Sequence, residues 1–588
     1  MINFKRILVS VLCLISSFSV FAQNKDVKLP ASWYNLDLLQ SGYFGISTER
    51  AYKELLSGKQ SKEKVIVAVI DGGVDIQHED LKEVIWTNVK EIPGNGIDDD
   101  GNGYIDDVNG WNFIGSSIGT LAYDNLELIR IRKTLLPKYI STTNLTVLDS
   151  TSKEEFELYK RVTKEFGEMY DNAHASFGFV TTVKSILDSI AVRSSKLVPN
   201  LNDVEQYKPD TEEEPYIKFI RRGIRESGSI EKFYKEMKDT YKQYDIMLKY
   251  NLNMDYDERK ELVGDNYADA NEKSYGNNDV KGPNADHGSH VSGIIAASRA
   301  NLVGIDGIAD NVRIMPIRVV PEGDERDKDV ANGIRYAVDN GARIINMSFG
   351  KGFKWNKQVV DDAVRYAEKK GVLIVHAAGN NNEDIDLVEN YPNKYFDTPE
   401  AIAYKKEHKP RQPKFPFLIN RNEVSPGQGI SSVPTRQITP KPVPADTAKF
   451  KLPHATNWIE VGASAYKDDA SLKTSFSNYG KYMVDVFAPG FMINSTVSGS
   501  KYEEFDGTSM AAPVVSGVAA LILAYYPRLQ PAQVRDIIIK SVTKVSHKVR
   551  LVNSKGEGIR VNFADLCISG GIVNAYEALK LAGSSSYK

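Results

Sequence analysis

"DVANGIRYAVDNGARIINMSFG", residues 329–350, decides the architecture. Val330, Ile334, Ala337 and Val338 share one helical face, and Gly341 suits the left-handed stop just beyond it. The apolar "RIINM" that follows reads as a buried strand. The same unit then repeats. Val359, Val360, Ala363, Val364 and Ala367 line a second helix, Gly371 ends it, and "VLIVHAAGN" (372–380) is the next strand. Upstream, "VIVAVI" (65–70) is a continuous apolar run ending in "DGG", as a buried parallel strand would. Such alternation predicts an α/β chain with an open parallel sheet covered on both faces. Chemistry in these sheets sits at the carboxyl ends of strands. Asp71, Ser348 and Asn380 all fall at such ends.

The 588 residues are 41% hydrophobic and 26% charged with a formal net charge of −3, which fits a soluble globular protein with one large or two ordinary cores. That balance gives no footprint for nucleic acid or an anionic membrane as partner. The first 22 residues differ: "MINFKR" is basic, "ILVSVLCLISSFSV" is apolar, and Val20 and Ala22 precede Gln23. This pattern predicts a cleavable secretory signal, 1–22, too short for an anchor and leaving no membrane span after cleavage. Leu12 before Cys13 is too bulky for a lipid-attachment box, so free export to the periplasm or the exterior is expected. Cys567 is then the sole cysteine of the mature chain, and no internal disulfide can form.

Two stretches break the helix–strand rhythm. Residues 120–265 are charged and helical, with one stripe of Phe156, Tyr159, Val162, Phe166 and Met169 and another of Ile230, Phe233, Met237, Tyr241 and Tyr244, both read as packing surface. Residues 383–453 hold 11 of the 24 prolines and read as an extended loop without a core of its own.

Ser509 in "EEFDGTSMAAP" (503–513) is either a nucleophile at the mouth of a helix or its cap. The uncharged helix that follows contains Pro513, Ser516 and Gly517, and its length suits a buried core helix. Of eight histidines, His287 and His290 in "DHGSHVSGIIAAS" (286–298) stand apart. His287 on a first helical turn, behind a glycine-rich segment, suits a proton shuttle. His290, one turn on, packs inside; the rival reading, a metal pair with His287, lacks a carboxylate at zinc-motif spacing. An imidazole base needs a buried carboxylate to fix its tautomer, and Asp71 is the candidate, although alone it reads as a turn residue. The Asn380 amide and the Ser509 N–H at a helix N-terminus are candidate oxyanion donors.

"VAVIDGGVDIQHEDL" (67–81), "HGSHVSGI" (287–294), "NMSFG" (346–350), "AAGN" (377–380) and "DGTSMAAP" (506–513) together resemble the five signature segments of the subtilisin-like serine proteases, in that family's Asp, His, Ser order. The resemblance covers about Tyr43–Leu581 apart from the two insertions. It implies a three-layer fold over 61–588 after an N-terminal segment 23–60, and endopeptidase activity on proteins or peptides. Carried over residue by residue, Asp71 orients, His287 is base and then acid, Ser509 attacks, and Asn380 donates to the oxyanion. Ser348, Phe349 and Gly350, with Ala377, Ala378 and Gly379, match the segments that flank the specificity pocket and hold the peptide. Ser289 stands where Thr is usual and Phe349 where Leu is common. Many secreted relatives carry a folding propeptide; segment 23–60 is too short for one, so folding without a cleaved pro-domain is expected. Two rivals are a catalytically silent binding protein on this fold, disfavoured by the four intact positions, and a narrow processing protease. A hydrolase of the G-x-S-x-G type fails because "GTSMA" lacks the second glycine and only His547 follows Ser509.

"DDDGNGYIDDVN" (98–109) follows a hand-type calcium loop. Asp98, Asp100 and Asn102 take its first three ligand positions, Gly103 the sharp turn, Tyr104 and Asp106 the next two ligand positions, and Asn109 stands where a bidentate Glu is usual. Clustered carboxylates repel without a cation, so a structural Ca2+ is expected. The family resemblance adds a second candidate at Asp80 with Asn301.

Overall fold

The computed structural model describes residues 29–142, 148–407, 450–552 and 558–587. The predicted signal with Cys13, and the proline-dense part of the 383–453 stretch, lie outside the described residues. Two compact units are present, one comprising Leu121–Gly264 with Pro321–Asp324, the other Pro30–Thr120, Asp265–Val320 and Glu325–Lys588.

The first unit is helical: α1 (Glu127–Tyr139), α2 (Ser150–Arg193), α3 (Glu214–Ser227) and α4 (Ile230–Ile246) are its long helices. Local chemistry sets their ends. The Asp149 carboxylate caps α2 by accepting from Ser152 N–H, and Ser229 caps α4 by accepting from Lys232 N–H. Both predicted stripes pack, and the second does so more deeply: Ile230, Phe233 and Met237 join Val183, Leu187, Ile220 and Ile224 in one core.

The second unit is built on a sheet. In chain order its strands are β1 (Val65–Asp71), β2 (Trp111–Asn112), β3 (Val312–Arg318), β4 (Ile344–Met347), β5 (Leu373–Ala377), β6 (Trp458–Ser464), β7 (Val486–Pro489), β8 (Ile493–Val497), β9 (Lys501–Phe505), β10 (Thr543–Lys544), β11 (Lys548–Val552), β12 (Gly558–Asn562) and β13 (Gly571–Ile572). Nine of them form one sheet in the order β10-β13-β7-β6-β5-β4-β1-β3-β2. Its pairs are parallel except β10 with β13. Hairpins β8–β9 and β11–β12 stand outside it. The central strands are buried almost throughout, which is why they read as unbroken apolar runs.

Flanking helices complete the α/β architecture: α5 (Asp286–Ala296), α6 (Asp327–Asp339), α7 (Lys357–Lys370) and α8 (Thr508–Tyr525). Gly341 and Gly371 sit just past α6 and α7 with φ of 83° and 75°, the left-handed stops expected from sequence. Helix α8 is the predicted core helix, with every residue buried except Ser509. It packs on α5 and across β4, β5 and β6. Cys567 is a buried free thiol.

Two expectations change. Strand β5 stops at Ala377 instead of running to Asn380, because Gly379 turns out of the sheet with φ 99°. Residues 383–407 are not a coreless loop: Ile385, Tyr391 and Phe396 are buried, and Pro399–Glu407 is helical. The prolines that suggested otherwise lie mostly between 410 and 444, outside the described residues.

The register positions the site. Ile70 is level with Met347 and Met347 with His376, so Asp71, Ser348 and Ala377 emerge side by side at the carboxyl edge of three neighbouring strands. Adjacent strands are about 4.8 Å apart, so that edge gathers these residues within about 10 Å.

Candidate active site

At the end of β1, Asp71 is 3% exposed. Its Oδ1 accepts the Gly72 N–H at 2.7 Å, and His287 Nδ1 lies 2.8 Å from Oδ1 and 3.0 Å from Oδ2. A buried carboxylate against Nδ1 holds the proton there and leaves Nε2 as the basic nitrogen. The histidine side chain is 42% exposed, so the ring presents one edge to solvent and the other to Asp71. Close approach makes this pair possible. A Cβ at Gly288 would stand 2.1 Å from Gly73 O and 3.2 Å from Asp71 Cβ, so α5 reaches the strand end only with glycine there. Ser289, the mild departure from the family pattern, is absorbed: its hydroxyl accepts the Asp75 N–H at 2.8 Å.

Ser509 is pinned to the end of β4. Its Oγ donates to Ser348 O at 3.0 Å, and Ser348 Oγ donates back to Ser509 O at 2.9 Å. Pro513 explains the second bond. Proline lacks the N–H that would reach the carbonyl four residues back, so Ser509 O is left free inside the helix and Ser348 takes it. The strand next to Asp71 thereby carries the serine.

Beyond β5, the Asn380 Oδ1 accepts from Thr508 N–H at 2.9 Å and Thr508 Oγ1 at 3.0 Å. That orients the amide with Nδ2 outward. A Cβ at Gly507 would stand 3.5 Å from both Asn380 Nδ2 and Ser509 N, so the two nitrogens flank that residue. Thr508, which sequence reasoning passed over, is the group that aims Asn380; it also accepts from Gly379 N–H at 3.1 Å. The signal was present as a hydroxyl residue beside the serine, but spacing alone does not say which way it points.

Segments Ser348–Gly350 and Ala377–Gly379 follow the neighbouring strands β4 and β5. Phe349 packs edge-on to the buried His376 at 6.4 Å, and His376 is held by Glu460 Oε1 at 2.9 Å. Between the two segments lies Asn390, also missed from sequence. A Cβ at Gly350 would stand 3.2 Å from its Oδ1, and its Nδ2 reaches Ala378 O at 3.4 Å.

His290 takes no part. Its ring stacks on Phe505 at 4.4 Å, and Nε2 lies 2.9 Å from Ile493 O and 3.0 Å from Glu503 O. Burial pushes its imidazole down to about 3, whereas an imidazole in an unfolded chain titrates near 6.5. The unfolded chain therefore binds a proton that the native one refuses. The stability this group contributes is complete above about pH 6.5 and falls by on the order of 1.4 kcal/mol per unit as pH drops toward 3. Urea midpoints between pH 7 and 5 are expected to fall less steeply in His290→Gln than in the parent; equal slopes would mean that native His290 is protonated.

The predicted calcium loop is rearranged. Asp106 has φ 53° and turns away, accepting Gly94 N–H and Asn95 N–H on Oδ1 and Gly96 N–H on Oδ2. It is not placed with Asp98 and Asp100. Asn102 spends its amide on Tyr104 N–H and Asp107 Oδ2, and Asn109 donates to Trp86 O at 2.9 Å. The Tyr104 ring is buried against Trp111, Phe113 and Tyr336. What gathers instead is Glu91 with Asp98 and Asp100. The second candidate pair does meet, with Asn301 Nδ2 donating to Asp80 Oδ1 at 2.7 Å. Asp80 Oδ2 accepts Ile305 N–H at 3.1 Å.

The model of the Subtilase family matches residues 62–558. A thermophilic serine proteinase of Bacillus sp. (strain AK1) is 33% identical over 261 residues, 44% of this chain and 47% of its own length. A subtilisin of Bacillus pumilus is 31% identical over 261 residues, 44% of this chain and 70% of that protein. The match spans about half the length of the first of these relatives. Among solved structures, a protease from Pseudoalteromonas arctica aligns over 54% of this chain and 82% of its own at 22% identity and a TM-score of 0.36, too loose to add to the topology above.

Proposed function

The chain belongs to the subtilase family, and from that premise we propose that it is an exported serine endopeptidase that cleaves proteins or peptides. The observation that carries the reading is the Asp71–His287 pair, at 2.8 Å, at the sheet edge next to the strand that holds Ser509. The substrate is held by Ser348–Gly350 and Ala377–Gly379, the two segments beside Asn390. The Ser509 hydroxyl leaves the Ser348 carbonyl and turns to His287 Nε2, which takes its proton as Oγ bonds to the scissile carbonyl carbon. Asn380 Nδ2 and the Ser509 N–H receive the oxyanion, while Asp71 stabilises the imidazolium. The imidazolium then protonates the leaving amine as the C–N bond breaks. Water, deprotonated by the same nitrogen, releases the acyl group and restores Ser509.

Export rests on residues 1–22, and a structural Ca2+ accompanies the reading. Turnover of an unfolded protein by the purified chain from Gln23 onward tests it; inert, folded, calcium-replete protein would overturn it. In the same assay Asn380→Ala is expected to lower kcat about 10²–10³-fold with KM nearly unchanged, because the amide acts on charge that exists only in the transition state. An unchanged kcat would remove Asn380 from the oxyanion hole.

A further inference from the structure

We infer that Glu91, with Asp98 and Asp100, forms the Ca2+ site of the 91–107 loop. This deepens the proposal of a structural calcium and replaces the ligand set that linear spacing suggests. Glu91 is 6% exposed. Its Oε1 accepts the Asp99 and Asp100 N–H groups at 3.0 and 3.1 Å, which fixes the carboxylate against the acidic turn. Its Oε2 is buried with no hydrogen-bond partner. A buried carboxylate oxygen left unpaired is costly, and a cation is the partner that removes the cost.

One carboxylate oxygen from each of Glu91, Asp98 and Asp100 lies within 4.8 Å of the other two. Calcium–oxygen bonds are about 2.3–2.6 Å, so oxygens on opposite sides of one ion are about 4.6–5.2 Å apart, and the three fit a single coordination sphere. Among the described residues, the cation paired with this cluster is Lys90, whose Nζ is 4.0 Å from Asp100 Oδ2 on a side chain 73% exposed. An exposed ammonium at that distance does not balance three carboxylates. Hard oxygen donors on a loop rich in main-chain carbonyls favour Ca2+ over Mg2+, which dehydrates reluctantly and demands a near-ideal octahedron.

The loop is tied to the catalytic strand. Asp107 accepts from Tyr336 Oη at 2.6 Å and from Asn88 and Asn102 side chains. The chain then enters β2, where Asn112 Oδ1 accepts from Arg318 Nη1 at 3.2 Å, and Arg318 Nε donates to Gly72 O at 2.7 Å, next to Asp71. An ion at Glu91 therefore braces the sheet edge beside Asp71.

The test uses the full mature chain in a Ser509→Ala background, so that self-digestion is absent and the outcome does not depend on whether the protease reading holds. Calorimetric titration of chelator-stripped protein with CaCl2, with thermal unfolding beside it, reads the site. Glu91→Gln keeps the two N–H bonds through its amide oxygen but loses the charge; it is expected to weaken one Ca2+ site about 10–100-fold and to shrink the calcium-dependent rise in Tm. Asp98→Asn is expected to do the same. Asp106→Asn, whose side chain faces the 94–96 turn, is expected to bind Ca2+ like the parent. Parent-like binding by Glu91→Gln, or a loss in folded Asp106→Asn as large as that in Asp98→Asn, would overturn the assignment, as would a parent that binds no Ca2+.

Discussion

Ser509→Ala is expected to lower kcat by about 10⁶-fold without disturbing the fold. The size follows from what the hydroxyl does. Without Oγ no acyl-enzyme forms, and what remains is water attacking a bound peptide whose oxyanion is still held by Asn380 and the residue 509 N–H. The structural cost is small, because Ser509 is the one residue of α8 that is not buried and its carbonyl bond to Ser348 Oγ is retained. The lost bond, Ser509 Oγ to Ser348 O, is on the order of 1 kcal/mol. The check is kcat on a peptide amide, with the unfolding midpoint as control. A loss under about 10³-fold would move the nucleophile elsewhere.

Asp71→Asn is expected to cost about 10⁴-fold in kcat, the scale of an imidazole held in the wrong tautomer. The local hydrogen bonds dictate the direction. Asp71 Oδ1 accepts the Gly72 N–H at 2.7 Å, so an asparagine keeps its oxygen on that donor and places its NH2 where Oδ2 stood, 3.0 Å from His287 Nδ1. Nδ1 must then accept, the proton moves to Nε2, and the face toward Ser509 can no longer take one. KM should change little, because neither group grips the peptide. Near-parent kcat in Asp71→Asn would mean that Asp71 only shapes the Gly72–Gly73 turn.

The core of the fold is readable in sequence because buried parallel strands are continuous apolar runs between amphipathic helices that end in glycine. Val65–Asp71, Ile344–Met347 and Leu373–Ala377 all behave this way, and the carboxyl-edge rule then groups Asp71, Ser348 and Asn380. What sequence does not carry is direction. Asp106 falls at a ligand spacing, yet its φ of 53° swings the carboxylate onto three N–H groups of the 94–96 turn. Glu91 is seven residues before Asp98 and belongs to no periodic motif; only the closed loop brings it in. Thr508 and Asn390 reach Asn380 and Ala378 through side-chain hydrogen bonds, which spacing along the chain does not encode. Residues 383–407 read as loop because proline density was averaged over a longer window, whereas Ile385, Tyr391 and Phe396 each find a buried site.

The most direct test of an assembled Asp71–His287–Ser509 site is labelling of the purified, calcium-replete chain from Gln23 onward with a fluorophosphonate probe, which a serine attacks only when a neighbouring base removes its proton. The expected result is one label per chain, mapped to Ser509 and absent in Ser509→Ala. Folded protein that takes no label, or takes it on another residue, would contradict the triad.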